Sequence, residues 1–142
     1  DEGPCGKSFG STGGYLVSSR SLIDLFINKT RSLIYSTAPP PSQAAASLAA
    51  LDLVNSPEGI ERLGRLKTYS DSFASPTPII PQIIGENRSA LAASDSLLKS
   101  GFLVPAIRYP TIPRGTARLR ITLSAAHTTE NLNDLKEALA LL

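Results

Sequence analysis

From position 118 the chain reads Arg-Leu-Arg-Ile-Thr-Leu, and an extended strand with one buried face satisfies that alternation. Successive strand side chains point to opposite faces, so Leu119, Ile121 and Leu123 fall on one side and Arg118, Arg120 and Thr122 on the other. Upstream, Gly101 follows an apparent helix, a short apolar strand begins at Phe102–Val104 and runs to Arg108, and a loop stiffened by Pro110 and Pro113 leads back into the strand at Arg118. Arg108 and Arg120 therefore flank one rigid crossover. A guanidinium is planar and permanently charged, which suits bidentate binding of a carboxylate or phosphate. The same arginines equally serve to keep a half-exposed strand solvated, and the pattern alone leaves both readings open.

A length of 142 residues fits one domain or a piece of a larger protein. With a net charge of +2 and no run of lysine or arginine, the chain lacks the footprint of a dedicated nucleic-acid surface, and its expected partners are small molecules or protein. Cys5 is the only cysteine, so no internal disulfide forms. No second thiol or histidine cluster accompanies it, and no metal site is expected. The lone thiol, the lack of a signal-like leader and the lack of an apolar run of about 18 residues predict a soluble cytoplasmic protein that does not enter a membrane.

The first segment places Lys7 among glycines and serines. It is not a P-loop, because GxxxxGK[ST] ending at Gly6-Lys7-Ser8 requires glycine where Asp1 stands. Lys7 instead occupies a small-residue turn before Tyr15-Leu16-Val17, with room beside its amine for a flat ligand; an ordinary loop lysine is the other reading. Ser21 and Asp24 form a capping-box-like start to a short, heavily buried helix ending near Lys29. Ser32 to Ala38 reads as a strand or extended run that breaks at Pro39-Pro40-Pro41. Ser36 and Thr37 sit exposed at that break, where their hydroxyls either donate to a phosphate or cap the next helix.

An alanine-rich helix follows from Ser42 to Val54, and Asn55-Ser56-Pro57 ends it and starts another, with Glu58 and Glu61 at the positive end of its dipole. A domain boundary is expected here, giving parts 1–55 and 56–142. Ile79–Ile84 predicts a strand, Asn87 caps a helix over Arg88–Lys99, and Gly101 closes it. His127 and Thr128 precede a last amphipathic helix with Leu132, Leu135, Leu139 and Leu142 on one stripe. His127 reads as a hydrogen-bonded helix-start residue rather than a ligand.

Taken together, GKSFGSTGGYLV, LIYSTAPPP and AIRYPTIPRGTARLRITLSAAHT resemble the α-oxoamine synthase family, pyridoxal 5'-phosphate enzymes of the fold type I transferase architecture, over nearly the whole chain and in the family's motif order. The resemblance implies an α/β fold in which 1–55 is the end of the large cofactor domain with a linking helix, and 56–142 is the small α/β carboxy-terminal domain. It implies that Lys7 is the catalytic Schiff-base lysine, that Ser36 and Thr37 reach the cofactor phosphate of the partner subunit in a homodimer, that Arg120 holds the amino-acid carboxylate and that Arg108 lies near the acyl end. Asp1 is the candidate for the aspartate that pairs with the cofactor, although the family carries that residue in a D-E-x-H motif well upstream of the lysine. Pro4 stands where relatives usually have a phosphate-binding threonine. The branch it most resembles condenses L-alanine with a pimeloyl thioester, on coenzyme A or a carrier protein, with loss of carbon dioxide on the route to biotin. Glycine-using members are an alternative, since Tyr109 replaces a proline common in that loop; a non-catalytic dimerisation fragment is another.

Overall fold

The computed structural model describes residues 2–7 and 9–142. The chain is a mixed α/β polypeptide in two compact units, Asp1–Ile60 and Glu61–Leu142, with helix α4 (Pro57–Asp71) running through the division. Among the described residues no helix is long and apolar enough to cross a membrane.

The second unit is built around an antiparallel sheet of β3 (Ile79–Gly85), β4 (Ala106–Ile107) and β5 (Ala117–Thr122) in the order β3-β5-β4. The central strand is the one whose alternation is cleanest. Leu119, Ile121 and Leu123 are buried, whereas Arg120 and Thr122 are exposed and Arg118 is half-buried. Helices α5 (Asn87–Lys99) and α6 (Thr129–Ala140) complete the core, where Leu97, Leu132 and Leu135 join Ile80, Val104 and the three β5 residues. Leu66, Tyr69 and Phe73 of α4 and its following turn pack on that cluster. Register does the rest: Ile79 opposes Thr122, Pro81 opposes Arg120 and Ile83 opposes Arg118, so these six share the face away from the core.

Helix α5 ends as expected at Gly101, whose φ is +90°. Gly101 N–H donates to the Leu98 carbonyl at 3.0 Å and Phe102 N–H to the Leu97 carbonyl at 2.8 Å, the paired bonds of a Schellman stop, with Phe102 and Leu97 in the same core cluster. At its other end the N-cap is Glu86 rather than Asn87, without a side-chain cap bond. The strand expected at Phe102–Val104 begins later, at Ala106. Its earlier residues are held otherwise: the Val104 carbonyl accepts from Ser94 Oγ at 2.6 Å, and the first bond to β5 is Arg120 N–H to the Pro105 carbonyl at 2.9 Å. Helix α6 starts with a reciprocal capping box, Asn131 N–H to Thr128 Oγ1 at 3.1 Å and Thr128 N–H to Asn131 Oδ1 at 3.0 Å. Of its predicted stripe, Leu132 and Leu135 are buried and Leu139 is half-buried; Leu142 lies beyond the helix and is exposed.

The first unit contains the antiparallel pair β1 (Glu2–Pro4) and β2 (Gly14–Leu16), then α1 (Arg20–Lys29), the short α2 (Arg31–Ile34) and α3 (Pro41–Val54). Three expectations differ from what this unit shows. The run expected to be extended from Ser32 to Ala38 begins as a helix, α2, and only the residues after Ser36 are without helix or turn: Leu33 and Ile34 N–H both donate to the Thr30 carbonyl, and among the described residues no strand pairs with them, so a local turn satisfies their backbone. Helix α1 has no buried residue, and Leu25 and Ile27 are each more than half exposed. Its apolar positions 22, 23, 25, 26 and 27 run around too much of the cylinder for one neighbour to cover. Its N-cap is Ser19, whose hydroxyl meets Ser21 Oγ at 3.4 Å and makes no cap bond, and Asp24 pairs with Arg20 at 3.1 Å instead of capping. Gly59 makes the α3–α4 corner possible, because a Cβ there would meet the Leu53 carbonyl and come within 2.6 Å of that of Val54.

Two substitutions grade these contributions. Leu119 is wholly buried, so Leu119→Ala should lower the unfolding free energy of the full-length protein by about 2–5 kcal/mol. Thr128→Ala, which removes a cap, should cost about 0.5–2 kcal/mol. Urea denaturation followed by circular dichroism measures both, and equal losses would contradict this placement of the core.

Candidate active site

Lys7 stands on the connection between β1 and β2. Backbone bonds close this connection on itself: Cys5 N–H donates to the Gly13 carbonyl at 2.9 Å, Ser11 N–H to the Cys5 carbonyl at 3.1 Å and Gly10 N–H to the Lys7 carbonyl at 3.1 Å. Gly10 and Gly13 take φ of +55° and +81°, a region that side-chain-bearing residues disfavour. The turn is also tied to α3. Ser47 Oγ donates to Ser11 Oγ at 2.9 Å, Ser11 Oγ donates to the Gln43 carbonyl at 3.3 Å, and Gly13 lies so close that a Cβ would sit 2.7 Å from Gln43 Nε2. Phe9 and Tyr15 meet edge to face at 6.4 Å. With Cys5, Ser47, Leu48 and Leu51 they line a nearly apolar cavity of about 170 Å³. The backbone carrying Lys7 is thereby fixed while its side chain is exposed, and its amine has no hydrogen-bond or ionic partner among the described residues.

Ser36 and Thr37 follow α2, both exposed. Ser36 Oγ donates to the Ser32 carbonyl, so its lone pairs remain open but its proton is engaged. The Thr37 hydroxyl has no partner among the described residues. Asp1 lies outside the described residues.

In the second unit, Arg120 projects from the outer face of β5 with its backbone N–H committed to Pro105 and Pro81 opposite it on β3. Its guanidinium is exposed and unpaired among the described residues. The residues sharing that face on β3 and β5 are Ile79, Pro81, Ile83, Arg118 and Thr122, so no carboxylate there competes for its charge. Arg118, on the same outer face, folds back along its own strand, its Nε donating to the Thr116 carbonyl at 3.0 Å. Arg108 directly follows β4 and is exposed; its carbonyl accepts from Thr111 N–H at 3.0 Å. Lys7, Ser36 and Thr37 thus belong to the first unit and both arginines to the second.

Three features escaped sequence reading. One is the Ser11–Gln43–Ser47 tie, in which Ser11 lies more than 30 residues along the chain from the other two. Another is Arg114, whose guanidinium lies 4.3 Å from the centre of the Tyr109 ring; an arginine and an aromatic bracketing two prolines in one loop were the available signal. The third is Tyr69, whose hydroxyl donates to the His127 carbonyl at 2.9 Å. His127 itself is a helix-start residue, with Nδ1 accepting from Ser124 N–H at 3.2 Å. Among the described residues no cluster of histidine, cysteine or carboxylates could hold a metal ion.

Comparison with known proteins places this geometry. The chain is 47% identical over 148 residues to the 8-amino-7-oxononanoate synthase of Methylococcus capsulatus, covering 97% of this chain and 38% of the relative. It is 46% identical over 143 residues to that of Methylorubrum populi, covering 97% and 37%. It therefore spans well under half the length of these relatives. Among solved structures, the 8-amino-7-oxononanoate synthase of Francisella tularensis superposes with a TM-score of 0.76 at 26% identity, over 99% of this chain and 43% of that one. A serine palmitoyltransferase of S. paucimobilis, solved with bound pyridoxal phosphate and myriocin, shares the fold with a TM-score of 0.82 at 22% identity, over 96% and 37%. The family model for aminotransferase class I and II matches residues 3–139, and the chain belongs to that family.

Proposed function

We propose that this chain supplies the lysine- and arginine-bearing portion of a pyridoxal-phosphate-dependent α-oxoamine synthase, which condenses L-alanine with a pimeloyl thioester and releases carbon dioxide to give 8-amino-7-oxononanoate for biotin formation. The observation that carries the reading is an amine without a partner among the described residues, on a hydrogen-bonded glycine turn, in a chain that matches the family from residue 3 to 139. The identity to 8-amino-7-oxononanoate synthases supports this choice of substrates. Residues 1–55 then act as the end of the cofactor domain and 56–142 as the small domain, in a cytoplasmic homodimer whose sites are shared between subunits.

The donor set fits the cofactor. A primary amine is the group that captures an aldehyde, and the exposed Thr37 hydroxyl suits donation to a cofactor phosphate across the dimer, which Ser36 would join by turning its proton away from the Ser32 carbonyl. When bound, the cofactor supplies an electron sink for the α-carbon of the amino acid. Lys7 would hold the aldehyde end of the cofactor through its amine, and its Nζ would accept the α-proton of the amino acid. Arg120 grips the α-carboxylate with its fork and so fixes the direction of the Cα–H bond, a matter of orientation rather than of proton transfer, since guanidinium keeps its charge. Arg108 faces the acyl end. An open, carboxylate-free sheet face suits Arg120 to this task, because a neighbouring acid would occupy the fork.

Tyr109, in place of the loop proline, favours a second reading in which the amino acid is glycine. Turnover with alanine and with glycine, compared side by side, decides between them: alanine is expected to be the better substrate. In the full-length protein Lys7→Ala should abolish the visible absorbance of lysine-bound cofactor, and a surviving band would remove the lysine from this role. Arg120→Lys should weaken amino-acid binding by about 1.5–3 kcal/mol while leaving stability within about 0.5 kcal/mol. Unchanged affinity would return Arg120 to the part of a solvating strand residue.

A further inference from the structure

The connection from β4 to β5 carries an interaction that the proposed reaction does not use. Between Arg108 and Thr116 the backbone has few hydrogen bonds of its own to hold it, because Pro110 and Pro113 have no N–H. Thr111 N–H reaches back to the Arg108 carbonyl at 3.0 Å, and Thr116 Oγ1 donates to the Pro113 carbonyl at 2.7 Å. Gly115, with φ of +75°, then turns the chain into β5. Between these two ends the loop is closed by side chains, with the Arg114 guanidinium 4.3 Å from the centre of the Tyr109 ring. Tyr109 is the immediate neighbour of Arg108, so the ring that Arg114 covers sits on the residue next to an exposed guanidinium with no partner of its own among the described residues.

We propose that the Arg114–Tyr109 stack is a positioning device for Arg108, setting the turn that presents its guanidinium to an acyl substrate bearing a carboxylate. The inference rests on the reading that places Arg108 at the acyl end. Without the stack, Tyr109 and Arg114 are free to swing apart, and Arg108 must be ordered at the moment of binding. That entropy is then taken from affinity for the acyl substrate. An exposed cation–π contact of this kind corresponds to about a two- to fivefold change in affinity.

The test uses the cofactor-loaded full-length enzyme with the variants Arg114→Ala, Tyr109→Ala, Tyr109→Phe and Arg108→Ala, reading KM and kcat for each substrate and calorimetric binding of the acyl thioester. Arg114→Ala and Tyr109→Ala should each raise KM and Kd for the acyl thioester about two- to fivefold, with kcat and the amino-acid KM unchanged. Tyr109→Phe, which keeps the ring, should behave as the parent enzyme. The double variant should be no worse than either single one, and Arg114→Ala should add nothing in an Arg108→Ala background. An unchanged acyl KM in Arg114→Ala, an equal loss for both substrates, or additive losses with Arg108→Ala would overturn the positioning role. Arg108→Ala reports separately on the underlying reading: if it leaves acyl binding intact, Arg108 does not contact the substrate and the proposal falls with it.

Discussion

Three apolar side chains on β5 can leave water together only if the strand keeps one face inward along its whole length. That condition decides the chemistry of the other face. Slipping the β3–β5 register by one residue would turn Leu119, Ile121 and Leu123 outward and drive Arg118, Arg120 and Thr122 into the core formed with Leu97, Leu132 and Leu135. Burying an unpaired guanidinium is far costlier than any local gain, so a one-residue slip is ruled out. The exposure of Arg120 is thus fixed by its hydrophobic neighbours. Its immediate surroundings are fixed by the partner strands, which place Pro81 opposite it and the Pro105 carbonyl against its backbone N–H.

The first unit reaches a similar end by a different route. Its described residues bury little, with Cys5 the one hydrophobic side chain out of water, and Leu25, Ile27, Leu33 and Leu48 more than half exposed. Lys7 is therefore positioned by hydrogen bonds rather than by packing: the Cys5–Gly13 and Ser11–Cys5 bonds close the turn, and the serine pair ties it to α3. Apolar faces of this extent on α1 and α3 are ones that proteins cover with further structure. A chain that spans 37–38% of its relatives' length leaves ample sequence in those relatives to provide cover.

The parts of this arrangement that could be read directly are those set by residues close together in sequence. The β5 alternation, the glycine stop of α5 at Gly101 and the helix from residue 41 to 54 each depend on local geometry, and each appears with little displacement. The misreadings involve partners that sequence does not display. An apolar run such as Leu33-Ile34-Tyr35 becomes a strand only if an edge is available to pair with, and among the described residues of this unit the sheet consists of β1 and β2. The start of β4 shifted because Ser94, ten residues away on another element, takes the Val104 carbonyl. On the candidate site, residue types and their exposure were legible at Arg108, Arg120, Ser36 and Thr37. The Arg114–Tyr109 stack was not, because two loop residues five apart meet only when the intervening prolines fold them back.

A division of labour between the two kinds of cation follows from how each is held. A guanidinium that must orient a carboxylate gains from a rigid base, since every degree of freedom left in the base is charged against binding. Arg120, on the central strand of a sheet, has such a base. An amine that must first hold an aldehyde and then release it to accept a proton needs a fixed Cα but a side chain free to swing. Lys7 has that combination, with its backbone held by a closed turn and its exposed side chain without a polar partner among the described residues. Exchanging the two residues would put the mobile group where orientation matters and the permanently charged one where a proton must be exchanged, so each location is matched to the chemistry proposed for it.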